Sequence, residues 1–253
     1  MGRSSIHRLR ALKDNYVYLL SDEKDRTAAV IDPGEAAPVE AALGRLDLRL
    51  AQIWNTHHHW DHTGGNEDLA RAHAPVEIFA SEPDFGRVPG QTRRLEDGER
   101  FEWAGETVEA MLIPGHTLGQ VAYRVGRNVF PGDTLFGACC GRLFEGTPEM
   151  MVRSLGRLRA LPADTLVWCG HEYTLGCLRF AVTVEPRNET LRARLARVAA
   201  APDEPTVPLS LAEEIATNPF LRWDAPEVRA FAGSSDDVET FAKVRRAKDA
   251  WRG

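Results

Sequence analysis

The residues best suited to chemistry lie in one short segment, 55-NTHHHWDHTGGN-66, which holds four of the eight histidines. Side chains alternate between the two sides of an extended chain, so His57 and His59 face one side while the histidine between them faces the other. Imidazole and carboxylate groups are common ligands of divalent metals, and Asp61 and His62 follow directly. Structural zinc sites usually contain cysteine, and no cysteine lies near this segment. The spacing favours a catalytic metal site over a structural zinc site or a histidine-rich surface loop.

Three later residues, His116, Asp133 and His171, extend this candidate ligand set. Each comes directly after a glycine at the end of a predicted strand, where a sheet delivers functional side chains to one edge. Taken singly, any of the three could equally be a loop or core residue, but together with the first cluster they predict a metal-binding set. His58 faces away from its neighbours by alternation, so we interpret it as a supporting residue and not as a ligand.

The elements that must position these residues are mostly strands. Short β-branched or alternating runs, each ended by a turn, predict strands over 15–20, 27–32, 51–56, 76–80, 107–113, 121–125 and 165–170. Helical patterns cover 35–46 and 148–161, and the second has Thr147 as its cap and Pro148 at its first position. The sequence therefore predicts a mixed α/β core.

The histidine-rich segment has clear flanks. A predicted strand ends near Trp54 before it, and a predicted helix begins near Asn66, an ordinary capping residue, after it. Gly64 and Gly65 allow the sharp turn between the segment and this helix.

The character of the chain changes after His171. Apolar residues recur at a helical period in 187–200, 210–218 and 235–251, and no clear strand is predicted there. Six prolines between residues 186 and 226 suit connections between short helices and not helix interiors. We therefore expect a catalytic domain over 1–170 and a small helical domain over 171–253.

The composition excludes several classes of protein. The 253 residues include 31 Lys and Arg against 37 Asp and Glu, and this net charge of -6 argues against a nucleic-acid binder. No apolar run approaches the ~20 residues that a membrane span needs, and polar residues 13–15 interrupt what would be the apolar part of a signal peptide. Four cysteines without disulfide or zinc spacing are expected to be reduced thiols. These features predict a cytoplasmic protein.

Two sets of motifs carry a resemblance to known proteins. Thr56 to His62 match the pattern T-H-x-H-x-D-H, and with His116, Asp133 and His171 they resemble the metallo-β-lactamase superfamily. That resemblance implies an α/β fold, an αββα sandwich. More narrowly, the chain resembles the glyoxalase II family, the hydroxyacylglutathione hydrolases, which also have a small all-helical C-terminal domain. The segments that carry this narrower match are THHHWDHTGGN, PGHTLG, GDTLF, FEGTPEM, GHEYT, TVEPRN, TNPFLR and VRRAKD.

The resemblance implies two divalent metal ions, zinc first, with iron or manganese as alternatives. One ion would be held by His57, His59 and His116, and the other by Asp61, His62 and His171. Asp133 and a hydroxide would bridge the ions, and Asp61 would help to orient this hydroxide, the nucleophile. The implied reaction is hydrolysis of S-(2-hydroxyacyl)glutathione, typically S-lactoylglutathione, to a 2-hydroxy acid and glutathione in methylglyoxal detoxification.

The resemblance also implies which residues contact the substrate. Arg142, Arg245 and Lys248 would bind the carboxylates of glutathione, and Tyr173 would hydrogen-bond its backbone. Phe144 stands where many relatives have tyrosine, so one hydrogen bond worth ~0.5–1.5 kcal/mol is expected to be missing. Without the resemblance, the basic residues would be read as a solvated helix end. The expected partner is a small glutathione thioester, without nucleic acid or membrane, and the expected state is a monomer.

Other interpretations stay open from the sequence. A relative with different chemistry, such as a mononuclear-iron persulfide dioxygenase or a lactonase, would share most of these motifs. A non-catalytic metal-binding or nucleic-acid module is a further alternative, although the ligand set leaves room for water. The adjacent Cys139 and Cys140 are either reactive thiols or, more commonly, buried and inert ones.

Overall fold

A computed structural model of the chain describes residues 4–252. Two parts of the chain lie outside this description, residues 1–3 and residue 253. Residues 1–3 begin the N-terminal stretch for which the sequence predicts no signal peptide. Among the described residues, no helix combines the length and the hydropathy that a membrane span requires.

The described chain forms two compact units. The first contains residues 4–112 and 118–132, and the second contains residues 113–117 and 133–252. The expected domains, 1–170 and 171–253, stay a prediction.

The first unit contains a six-stranded sheet whose strands follow chain order. They are β1 (Ser4–Ala11), β2 (Asn15–Asp22), β3 (Thr27–Ile31), β4 (Arg49–Trp54), β5 (Glu77–Ser81) and β6 (Arg93–Leu95). Strands β1 to β3 pair antiparallel, whereas β3 to β6 pair parallel. Parallel neighbours end at the same edge of a sheet, so the loops after β3 and β4 emerge side by side. These two loops begin with Asp32 and with the histidine-rich segment.

A second set of strands in this unit is antiparallel. It comprises β7 (Arg100–Trp103), β8 (Glu106–Leu112), β9 (Val121–Val125) and β10 (Asn128–Gly132). The indole of Trp54 on β4 meets Phe101 and Trp103 edge to face, with centroids 5.2 and 5.9 Å apart, and lies 5.5 Å from Tyr123. The two layers of strands therefore pack through a buried aromatic interface that fixes the end of β4.

Three helices complete the first unit. They are α1 (Ala37–Leu46), α2 (Trp60–Thr63) and α3 (Asn66–His73). Val39 and Leu43 of α1 and Leu69 of α3 belong to one apolar core with Ile53 and Ile78 of the sheet. The helices thus cover the face of the six-stranded sheet opposite the aromatic interface.

The second unit is mainly helical. Its helices are α4 (Pro148–Arg159), α5 (Thr174–Val184), α6 (Glu189–Ala199), α7 (Leu211–Thr217), α8 (Pro226–Ala232) and α9 (Asp237–Ala250). Its short strands are β11 (Leu135–Phe136), β12 (Cys139–Cys140), β13 (Leu166–Cys169) and β14 (Leu209–Ser210), paired as β11 with β12 and β13 with β14. The hydroxyl of Thr147 accepts a hydrogen bond from the Met150 amide at 3.3 Å, which confirms the predicted cap of α4.

Two local predictions are wrong. No strand is predicted after His171, but β14 lies there, and its Leu209 pairs with Val167 of β13. Two residues are too few to give a strand pattern in the sequence. Asn66 does not cap α3, since Gly65 occupies that position. The Asn66 side chain is buried instead, and its amide donates to Asn55 Oδ1 at 2.8 Å and thereby ties the helix to the end of β4.

Candidate functional site

The first half of the candidate site is the loop after β4, within the first unit. His57 Nε2 lies 3.0 Å from His59 Nδ1, and the two ring centroids are 4.6 Å apart. His57 is fully buried, and its Nδ1 lies 3.0 Å from the hydroxyl of Thr56. Two ring nitrogens that converge this closely can share one proton or one cation. The predicted pairing of His57 with His59 on one side of the chain is therefore observed.

Asp32, at the end of β3, organises this loop and was not found from the sequence. Its Oδ1 accepts from the Thr56 amide at 2.7 Å, and its Oδ2 accepts from the Thr56 hydroxyl at 2.7 Å. His62 Nδ1 lies 3.0 Å from the same Oδ2. A carboxylate on one ring nitrogen fixes the tautomer and leaves the other nitrogen for a metal, as around most metal-binding histidines. Here that other nitrogen, Nε2 of His62, lies 3.5 Å from Asp61 Oδ2.

Asp61 has its own support. The side-chain amide of Asn15 donates to Asp61 Oδ2 at 3.0 Å and to the Asp61 carbonyl at 3.1 Å. Asn15 opens β2 and lies 46 residues away in the chain, so no local pattern could have identified it. For Asp32 the sequence offers only a weak signal, its position at the end of a predicted strand. In the structure it adopts φ 52°, a conformation that aspartate tolerates better than most residues.

A further group of predicted ligands lies within the second unit. Asp133 Oδ2 is 3.4 Å from His171 Nε2 and 3.6 Å from His116 Nε2, so one carboxylate oxygen stands between two ring nitrogens. All three side chains are buried. His116 Nδ1 donates to the carbonyl of Arg142 at 2.9 Å, which directs its Nε2 toward Asp133.

Gly141 permits this close packing. A Cβ at that position would lie 2.0 Å from the Asp133 carbonyl oxygen and 3.0 Å from His116 Nδ1. The backbone of residue 141 therefore passes directly against two predicted ligands, and only glycine fits.

A cavity of about 600 Å³ opens in the second unit beside these ligands. The predicted ligands on its wall are His116 and Asp133, and the predicted substrate contacts on the same wall are Arg142, Phe144, Tyr173, Arg245 and Lys248. The Tyr173 ring stacks on His171 at 4.8 Å with a 6° interplanar angle. Phe144 is 62% exposed and meets His116 edge to face at 5.2 Å. A larger cavity of about 930 Å³ in the first unit, lined around residues 21–26, includes none of the predicted site residues.

The cations of the cavity differ in their surroundings. Arg245 is only 5% exposed, and its guanidinium donates to the Cys140 carbonyl and to Asp249 Oδ1, both at 2.8 Å. Burial alone would lower the pKa of Arg245, but Cys139, Cys140 and Asp249 raise it above its ordinary value. The alternative of a solvated helix end is therefore wrong for Arg245. The Lys248 ammonium lies 4.6 Å from the ring centroid of Trp251.

The adjacent thiols beside Arg245 are buried and unlike each other. Burial raises the pKa of Cys139, but a hydrogen bond from Cys177 and the charges of Arg245 and Lys248 outweigh it and lower that pKa to about 6. Burial dominates at Cys140 and raises its pKa to about 12 despite Arg245. All four cysteines are free, as predicted.

The comparisons with known proteins are consistent across the chain. The sequence profile of the metallo-beta-lactamase superfamily matches residues 12–171, and the profile described as hydroxyacylglutathione hydrolase C-terminus matches residues 172–251. The chain is 53% identical over 248 residues to the hydroxyacylglutathione hydrolase of Gloeobacter violaceus, covering 96% of this chain and 98% of that one. The chain belongs to the hydroxyacylglutathione hydrolase family of the metallo-β-lactamase superfamily.

Other members and solved structures agree with this placement. A hydroxyacylglutathione hydrolase from a Synechococcus species is 51% identical, covering 95% of this chain and 97% of the relative. The crystal structure of ETHE1 from Myxococcus xanthus has a TM-score of 0.71 at 24% identity, covering 98% of this chain and 92% of that one. TTHA1623, solved in a di-iron-bound form, has a TM-score of 0.57 at 28% identity, covering 65% of this chain and 90% of that one. The predicted α/β metallo-β-lactamase fold with a helical C-terminal region is confirmed. The assignment of all seven ligands to one binuclear centre stays a prediction.

Proposed function

We propose that this chain is a metal-dependent thioester hydrolase that converts S-(2-hydroxyacyl)glutathione, typically S-lactoylglutathione, to a 2-hydroxy acid and glutathione. This reaction would serve methylglyoxal detoxification. The observation that carries the proposal is the cavity of the second unit, where His116 and Asp133 share a wall with Arg142, Arg245 and Lys248. Groups that bind a metal and groups that bind an anion thus face one space. Family membership supports the choice of glutathione as the anion.

We further propose two divalent metal ions per chain. His57, His59 and His116 would hold the first ion, Asp61, His62 and His171 would hold the second, and Asp133 would contribute to both. The position of Asp133 Oδ2, within 3.6 Å of ring nitrogens on two different histidines, supports a bridging role. Buried imidazoles and carboxylates suit zinc, iron or manganese, and zinc is our first choice. When bound, two such ions supply a hydroxide at neutral pH and positive charge for the developing oxyanion.

The residues of the chain then have separate tasks. Asp32 fixes the tautomer of His62, and Asn15 holds Asp61. Arg245 and Lys248 bind carboxylates of the tripeptide, with Arg142 at the cavity mouth and Tyr173 contacting its backbone. Phe144 provides an apolar edge where a tyrosine would donate a hydrogen bond. The leaving thiol has an ordinary pKa near ~8.5, so it can depart as the thiolate without a dedicated acid.

We also propose that the enzyme acts in the cytoplasm as a monomer, without nucleic acid or membrane as a partner. Four free thiols, three of them on the cavity wall, suit a reducing compartment. The substrate itself is a derivative of the principal thiol of that compartment.

The test joins metal content to turnover. The purified protein is analysed for metals per chain, and hydrolysis of S-lactoylglutathione is followed before and after chelation and after return of zinc, iron or manganese. About two metals per chain, with turnover that chelation removes and metal restores, would support the proposal. A single iron per chain, no thioester hydrolysis and oxygen consumption with glutathione persulfide would replace it with a dioxygenase.

A further inference from the structure

The middle histidine of the run 57–59 is held by two charged residues of the first unit. His58 Nδ1 lies 3.1 Å from Asp84 Oδ1, and His58 Nε2 lies 2.7 Å from an Arg87 guanidinium nitrogen. A guanidinium can only donate, so Nε2 accepts, and Nδ1 is the nitrogen that carries a proton. That proton is directed at Asp84. Both ring nitrogens of His58 are therefore engaged on the side opposite His57 and His59.

The environment of the Asp84 carboxylate is unusual. The residue is fully buried, and its Oδ2 has no hydrogen-bond partner within residues 4–252. Its contact with His58 and its ion pair with Arg87, at 3.6 Å, are both made through Oδ1. A buried charge without compensation is costly, so Asp84 needs both partners.

Asp84 also touches the loop that follows another predicted ligand in the sequence. A Cβ on Gly119 would lie 2.2 Å from Asp84 Oδ1, so the backbone three residues after His116 rests directly on this carboxylate. The hydroxyl of Ser81 donates to the Gly119 carbonyl at 2.5 Å and holds that backbone in place. Asp84 thus stands between residue 58 and residue 119, both of the first unit.

We propose that Asp84 is a positioning residue for the metal ligands, acting through His58. Fixing the ring of His58 sets the backbone of residues 57–59, and with it the direction in which the rings of His57 and His59 converge. The inference rests on the proposed function in one respect only: it takes these two histidines to be metal ligands.

The test compares two linked variants with a matched pair. Asp84→Asn keeps the size of the side chain and removes its charge, and His58→Gln removes the ring that Asp84 holds. The controls are Glu40→Gln and His73→Gln, since His73 Nε2 lies 3.0 Å from Glu40 in a histidine–carboxylate pair of the same unit. Metal affinity is measured by chelator competition, and the coordination geometry by the visible spectrum of the Co²⁺-loaded protein. Circular dichroism confirms that each variant is folded.

Asp84→Asn and His58→Gln are each expected to weaken metal binding about tenfold or more and to change the Co²⁺ spectrum. The double variant is expected to bind metal no more weakly than the single variant of lower affinity, because both changes act on the same contact. The control pair is expected to leave affinity and spectrum unchanged. Wild-type affinity in folded Asp84→Asn, or additive losses in the double variant, would overturn the proposal. Metal binding without thioester turnover in the wild type would instead reject only the proposed function.

Discussion

Replacing Asp32 by asparagine tests how the first half of the site is built. The oxygen that accepts from the Thr56 amide at 2.7 Å is retained, but the amide nitrogen replaces the oxygen that faces the Thr56 hydroxyl and His62 Nδ1. The amide nitrogen, which is itself a donor, then faces two other donors, the Thr56 hydroxyl and His62 Nδ1. His62 can relieve this only by moving its proton to Nε2, the nitrogen proposed to bind the metal. Loss of such a supporting carboxylate typically costs about 10–100-fold in metal affinity, or roughly 1.4–2.7 kcal/mol.

The assay measures the second-metal affinity of Asp32→Asn by chelator competition and its stability by thermal unfolding of the metal-free protein. Asp47→Asn is the matched control, because Asp47 has the same φ of 52° but an exposed side chain paired only with Arg26 in the contacts described. Asparagine tolerates this backbone conformation at both positions. We expect Asp47→Asn to change neither property measurably. Wild-type metal affinity in Asp32→Asn would refute the reasoning that Asp32 sets the tautomer of His62.

Four further predictions concern the second unit. Phe144→Tyr restores a hydroxyl at the cavity mouth and should lower KM for glutathione thioesters by about 2–10-fold with kcat unchanged, as steady-state kinetics would measure. Gly141→Ala should cost at least about 1–3 kcal/mol in unfolding free energy by denaturant titration, because its Cβ meets the backbone of Asp133. Lys248→Ala should raise KM for glutathione thioesters but not for small uncharged thioesters. Cys139, with its pKa lowered to about 6, is thiolate above that pH and should alkylate at pH 7 before the other cysteines in a peptide map.

Each of these four predictions has a control within the same protein. Phe231→Tyr changes an exposed ring outside the cavity and should leave KM unaltered. Gly156→Ala lies in α4 with open space around it and should stabilise by about 0.5–1 kcal/mol. Lys243→Ala, on the same helix as Lys248, should not affect KM. Burial raises the pKa of Cys169, so faster alkylation there than at Cys139 would contradict the order of reactivity. Equal KM changes in the lysine variants would contradict the role of Lys248.

The features that depend on short-range periodicity were predictable from sequence. The alternation that places His57 and His59 together needs only an extended chain, and Thr147 with Pro148 defines the start of α4 within four residues. The seven predicted strands are all present within a few residues of their expected ends. In contrast, the strand pattern of β1 is weak, because its sequence mixes serine, histidine and arginine with few apolar residues. Most of its side chains are half-buried.

The features that depend on distant partners were not predictable. Asp32 acts on His62 from 30 residues away, and Arg245 contacts Cys140 from 105 residues away. The run VRRAKD reads locally as a solvated helix end, and tertiary packing against Cys140 and the Phe220 ring removes Arg245 from water. Sequence alone therefore indicates candidate ligands more readily than the residues that orient them.

The placement of the cavity cations has a consequence for turnover. Arg142, Arg245 and Lys248 would bind carboxylates of the tripeptide, and hydrolysis leaves those carboxylates unchanged. Their binding energy is then equal for substrate, transition state and free glutathione, so it lowers KM without raising kcat. It also retains the product after the acyl group has left. Free glutathione would therefore compete with the thioester for the same cations, and the enzyme would be inhibited competitively by its own product.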